Sequence, residues 1–138
     1  MEPHWEHYPH QADIGVRGFG RTKADAFAEV ALAMMAVMLD PATVAPSEAV
    51  AVSVRAPDDE VLLVDWLNAL VFEMATRSML FSRFEVTIED HALTATAWGE
   101  ALDRMRHAPS VEIKGATFTT LGVRSHEDGW LAQCVVDV

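Results

Sequence analysis

The chain has 138 residues, enough for one domain that buries its own core without a staple. Its 21 acidic against 10 basic side chains give a net charge of −11, a surface that repels phosphate backbones and excludes tight, direct nucleic-acid binding. The single cysteine, Cys134, excludes an intramolecular disulfide and a thiolate zinc cage, and the longest apolar run, Val30 to Leu39, is about half a membrane span.

The opening Met1-Glu2-Pro3-His4 lacks the basic and apolar regions of an export signal, so a cytoplasmic protein is expected. His4 to His10 reads as an edge strand or extended arm, because Pro9 cannot donate to a sheet ladder. From Asp13, Ile14 and Val16 alternate with Gly15 and Arg17 at the period of a half-buried strand. Thr22 predicts the N-cap of a first helix, whose apolar face is Phe27, Ala31, Met34 and Met38. Asp40-Pro41 ends that helix, since the residue before proline is pushed out of the helical region, and residues 42–47 read as a linker. Val50, Val52 and Val54 mark a strand. Asp58-Asp59-Glu60 opens a second helix with its acids at the positive end of the dipole; Leu63, Leu67, Leu70 and Met74 are its buried stripe. Glu73 and Arg77 are spaced as an i,i+4 pair.

Beyond that helix, Phe84 to Ile88 and Leu93 to Ala97 predict two strands around an Asp90-His91 turn, followed by a polar loop from Gly99 to Pro109. Short strands are expected at 111–114 and 118–123, then a turn at His126 to Gly129 and a final strand from Trp130 to Val136. The order predicts a single α+β domain over residues 1–138. Its expected form is a two-layer sandwich, with two helices on one face of a mainly antiparallel sheet.

The chemistry is carried by carboxylates. Asp13 opens an early strand, and Asp137 and Val138 follow a strand that stays apolar to its end, so they are held at a fixed place. If the fold brings them together, their hard oxygen donors make a site for a divalent cation such as Ca, Mg or Mn. The plainer readings are that Asp13 caps a turn and that Asp137 is a solvated tail residue. His4, His7 and His10 cannot converge on one metal from a strand, because His7 points away from the other two. Of the three, His10 is best placed to orient the Asp13 site. Gly15, Gly18 and Gly20 fit neither phosphate-loop fingerprint and read as close-packing or bulge glycines. No serine sits in a glycine elbow and Cys134 lies mid-strand, so nucleophilic catalysis is not expected. Glu100, Asp103 and His107 form a second polar group, either a surface turn or a partner to the acidic site, with Lys114 close behind.

Together, His10-Gln11-Ala12-Asp13-Ile14-Gly15, Trp66-Leu67-Asn68, Gly99-Glu100 with Asp103 and His107, Glu112-Ile113-Lys114, and Trp130 through Val136-Asp137-Val138 resemble the archease family along essentially the whole chain. Two positions depart from it: Gln11 stands where the family usually has threonine, and Thr119 where a histidine often follows the run of lysine, small residue, threonine and aromatic. The resemblance implies an accessory protein, not an enzyme. Archeases assist the RtcB-type RNA ligase of tRNA splicing and RNA repair, promoting guanylylation of the ligase histidine and multiple turnover. The family's metal-site residues map to Asp13, Asp137 and Val138. His10, Glu100, Asp103, His107 and Lys114 are candidates for supporting that site or touching the partner. Two other readings stand beside this one: a chaperone-like modulator of a tRNA methyltransferase, and a small metal-dependent phosphoesterase.

Overall fold

A computed structural model describes residues 1–138 and gives an α+β fold of eight strands and three helices. In order these are β1 (His4–His10), β2 (Asp13–Gly20), α1 (Lys23–Met38), β3 (Glu48–Arg55), α2 (Asp59–Arg77), β4 (Met79–Glu89) and β5 (Ala92–Ala101). There follow α3 (Arg104–His107), β6 (Gly115–Ala116), β7 (Gly122–His126) and β8 (Gly129–Asp137). No helix is long and apolar enough to cross a membrane.

Both long helices start where their caps demand. The Thr22 hydroxyl accepts the Asp25 N–H and the Asp58 carboxylate accepts the Val61 N–H, each satisfying a free amide of the first turn. The predicted stripes are the ones buried: Phe27, Ala31 and Met34 on α1, and Leu63, Leu67 and Leu70 on α2, are fully enclosed. Arg77 donates to Glu73 as its spacing foretold.

The strands form two antiparallel sheets where one was expected. In the larger, β8 is central, with β2 along one edge, β1 outside β2, and β6 and β7 in succession along the other edge. The smaller sheet has the order β3-β5-β4. Helix α1 packs on β1, β2 and β8 but also on β4, while α2 packs on β3, β4 and β5 but also on β6 and β7. One apolar cluster therefore runs between the sheets and the helices, with Trp66, Phe27 and Phe81 its largest fully buried side chains.

Several boundaries differ from the sequence reading. Pro41–Thr43 is a 3₁₀ turn capped by the Asp40 carboxylate, not plain linker. Strand β4 begins at Met79, directly after Ser78 ends α2 in the left-handed region, and it bulges at Ser82, whose hydroxyl bonds Val44 O. Residues 111–114 are not a strand, and the expected strand at 118–123 is displaced to Gly122–His126. The intervening Thr117–Thr120 stretch turns, with Thr120 at φ 50°.

Gly18 is the close approach that seats α1. A Cβ there would stand 2.3 Å from the Val30 amide nitrogen and 2.4 Å from the Ala26 carbonyl oxygen, both helix backbone that no rotamer change can move. Gly18→Ala is accordingly expected to destabilise the chain by about 2–3 kcal/mol, read as a lowered urea midpoint with an unchanged m-value.

Candidate functional site

The central strand sets the site's geometry. In the β2–β8 ladder Ile14 stands opposite Val136, and the same register one residue further sets Asp13 across from Asp137. In the β1–β2 hairpin His10 is the partner of Asp13, and on the far side Gly115 of β6 is the partner of Asp137. A row therefore crosses four strands: His10, Asp13, Asp137, Gly115. Directly opposed antiparallel residues have Cα atoms about 4.5–5.5 Å apart and share a sheet face; continued one step past the last pair of the ladder, that register directs the two carboxylates to one side of the sheet. Gly115 adds no side chain to crowd it.

The row is held from both flanks. Asn68 of α2 accepts the Ala116 N–H on its Oδ1 at 2.8 Å and donates through Nδ2 to Ala116 O at 3.5 Å, clamping short β6 to the helix. The Lys114 N–H donates to Asp137 O at 2.9 Å. Two rows along, Tyr8 lies across Gly15, where any Cβ would fall 2.2 Å from the ring. The Tyr8 hydroxyl meets Thr120 Oγ1 at 2.5 Å, and the Arg17 guanidinium sits 4.3 Å from the ring centroid. Burial, more than any neighbour, pushes the Tyr8 hydroxyl pKa up. Arg17 also bonds Glu6 and Gln133, so the sheet beside the acidic row is fastened by its own side chains.

The row itself lacks compensation. Asp13 is half-buried, Asp137 exposed and Val138 half-buried, and neither aspartate lies within ion-pair distance of any Lys, Arg or His. Like charges facing each other across a ladder are unfavourable until a cation joins them. No three His, Cys, Asp or Glu side chains converge as a metal cluster anywhere in the chain, which leaves His10 outside any such set. A cation at this corner would take Asp13, Asp137 and the main-chain oxygens of Val138, with water completing the shell. That all-oxygen, carboxylate-rich donor set fits a hard divalent ion.

The other histidines of β1 are occupied elsewhere. His4 stacks on Phe19 with ring centroids 4.4 Å apart, and His7 Nε2 lies 2.7 Å from Ala33 O of α1.

Glu100, Asp103 and His107 do come together, but around one another rather than around Asp13. Glu100 stands at the end of β5, not on the loop where it was expected. Its Oε1 pairs with Arg106 at 2.7 Å; its Oε2 accepts the Ala45 N–H at 2.7 Å and faces His107 Nε2 at 3.0 Å. The buried His107 ring accepts the Asp103 N–H on Nδ1 at 2.9 Å, and its Nε2 also lies 3.1 Å from Arg106 Nη2. Asp103 caps α3 by accepting from Met105 and Arg106. None of these bonds reaches the acidic row, and Lys114 forms no ion pair with Glu100, whose cation is Arg106.

The Arg106 hydrogen bond, then the Ala45 N–H and His107, hold the Glu100 carboxyl down from the usual 4.5 to about 2. Because the folded carboxyl titrates below the unfolded one, the clasp stabilises the chain above about pH 5 and is lost as pH falls toward 2. In Glu100→Gln the fall in urea midpoint between those limits becomes shallower than in the parent chain, measured by denaturation at successive pH values. Cys134, by contrast, is pushed up to about 12 by burial and offers no thiolate at neutral pH.

Comparison with known proteins decides the family. The model of the "Archease protein family (MTH1598/TM1083)" matches residues 5–138. The chain belongs to the archease family. Among its archease relatives, "Protein archease" of Thermococcus gammatolerans is 40% identical over 139 residues, covering 97% of this chain and 98% of that protein. The archease of Pyrococcus abyssi is 38% identical with the same coverage. The solution structure of Methanobacterium thermoautotrophicum protein 1598 superposes with a TM-score of 0.85 at 33% identity, over 97% of this chain and 98% of that one.

The archease fold thus carries two features that sequence spacing did not reveal. Asn68 lay inside a quoted motif, yet its bond to β6 depends on a contact between distant segments. The Tyr8–Gly15 pairing was readable in principle: once Gln11-Ala12 is taken as a two-residue hairpin loop, Tyr8 must face Gly15.

Proposed function

We propose that this archease is a metal-binding accessory protein that activates an RtcB-type RNA ligase, promoting guanylylation of the ligase histidine and multiple turnover in tRNA splicing or RNA repair. The observation that carries this reading is that the β2–β8 ladder ends at Ile14 opposite Val136, which leaves Asp13 and Asp137 together at its end with no cationic side chain within ion-pair distance. Family membership adds that the whole chain, not one segment, shares the archease pattern.

The roles follow from the placements. Asp13 and Asp137 would hold a divalent ion together with the main-chain oxygens of Val138, and Asn68 and Lys114 fix the strand that flanks Asp137. A bound Ca, Mg or Mn supplies positive charge of the kind that polyphosphate oxygens demand during nucleotidyl transfer. The chain brings no nucleophile of its own to that corner. Its net charge of −11 suits docking on a basic cleft that otherwise holds RNA.

The test is addition of the purified chain, far below stoichiometry, to an RtcB-type ligase with GTP and RNA ends. Guanylylated ligase and joined product are both followed. The expected result is turnover beyond one round per ligase; a ligase that stays at single turnover refutes the reading. Phosphoester hydrolysis by the chain alone would instead make it the metal-dependent phosphoesterase.

A further inference from the structure

A cavity of about 710 Å³ has Lys114 in its wall but none of Asp13, Asp137 and Val138. Its floor is apolar and rich in methionine: Met38 of α1, Met74 of α2 and Met79 of β4. Unbranched thioether side chains of this kind reshape around whatever they cover. The volume falls within the range of ligand sites.

Two further observations say what would enter it. Arg104 and Lys114 both line the cavity, and neither side chain makes an ion pair or a hydrogen bond within the chain. In a protein with 21 acidic side chains, two free cations beside one apolar floor are a selective feature. Glu112 shares the wall but is exposed and equally unpaired, leaving the two cations in excess. The second observation concerns backbone. Ser110 and Lys114 donate their amides to Met38 O and Asp137 O, but between them Val111, Glu112 and Ile113 have no main-chain hydrogen bond, although Ile113 is only 4% exposed. Val111 and Glu112 are exposed and can be served by water, whereas main-chain groups of a residue as buried as Ile113 are normally paired.

We propose that this groove binds an extended peptide segment of a partner protein. The peptide pairs its main chain with Val111–Ile113, seats apolar side chains on the methionine floor and sets an acidic residue against Arg104 and Lys114. The mode is main-chain pairing with a segment that lies outside both sheets, in which main-chain bonds give affinity and the pockets give selectivity. A small amphipathic anion would use the floor and the cations but leave the three residues of backbone unpaired. None of Asp13, Asp137 and Val138 lines the site, and it needs no metal ion.

The experiment uses the full chain, isotope-labelled, in chelator-treated buffer, followed by amide and methionine-methyl NMR. Three probes are compared: acetyl-Glu-Leu-Val-Leu-Glu-amide, its charge-reversed acetyl-Lys-Leu-Val-Leu-Lys-amide, and decanoate. The acidic peptide is expected to shift the Val111–Ile113 amides and the Met38, Met74 and Met79 methyls in a saturable way. The basic peptide should bind about tenfold more weakly, the size of a modest surface charge preference. Arg104→Glu should remove or invert that preference. Ala75→Trp, on the exposed rim, should block both peptides while leaving resonances outside the groove in place. Equal binding of the two peptides, binding of decanoate alone, or no shift at millimolar peptide overturns the proposal. Because ligase and metal are both absent, failure here leaves the accessory-protein reading untouched, and failure of that reading leaves this one.

Discussion

Asp13→Asn is expected to lower the affinity of the chain for Ca²⁺ or Mn²⁺ by on the order of 100-fold, the scale on which carboxylate count tunes hard-cation sites. It should also abolish stimulation of the ligase. The substitution keeps size and hydrogen-bonding capacity at the head of β2 but removes one of the two charges at the end of the β2–β8 ladder. Without metal, the variant should be as stable as the parent or slightly more so, since a like-charge pair across strands costs roughly 0.2–1 kcal/mol. With metal at about 100 times its dissociation constant, the parent gains about 2.7 kcal/mol by mass action and the variant does not. Thermal melts with and without the ion, run beside the ligase assay, therefore separate loss of the ion from loss of the fold. Asp137→Asn should behave alike. If both variants keep full stimulation while binding no metal, the cation has no part in activation.

The helices were legible in the sequence because their signals are local. Thr22 and Asp58 stand beside the amides they satisfy, and the stripes recur within a turn or two. The sheets were less so. Alternation shows that Val50-Val52-Val54 is a strand but not that it pairs with Leu93-Ala95-Ala97 and stays apart from the β2–β8 ladder, because partner choice is made by contacts between distant segments. The Thr117–Thr120 turn carries no Gly, Pro or Asn, so the residues after it read as strand too early. At the acidic corner, parity along the last strand already tied Asp137 to a docked element. That Asp13 lies opposite it depends on the β2–β8 register, which no residue within either strand announces. Glu100 misled for a further reason. A carboxylate after a glycine suggests a loop, whereas here a Cβ on Gly99 would collide with the Leu80 carbonyl at 1.8 Å, so the glycine allows β4 and β5 to stay close while the strand continues.

Trp66→Ala is expected to cost about 3–5 kcal/mol, a large part of the 5–15 kcal/mol that holds a domain of this size. The indole is fully buried, meets Phe84 edge-on with centroids 5.9 Å apart, and donates Nε1–H to Phe27 O at 3.0 Å, joining α2 to α1. Trp66→Phe separates the two contributions. It retains much of the packing, so its cost should fall to about 1–2 kcal/mol, the lost hydrogen bond plus a small void. The site is affected differently. Asn68, two residues along α2, holds β6 at Ala116, next to the glycine that faces Asp137. Asn68→Ala should therefore speed amide exchange at Ala116 with only a small loss of global stability, because a two-residue edge strand has little else to hold it. Trp66→Phe should do the reverse, lowering the urea midpoint while Ala116 keeps its protection relative to the rest of the sheet. If Ala116 exchange follows global stability in both variants, β6 is held by the sheet itself and Asn68 is not what positions the strand beside Asp137.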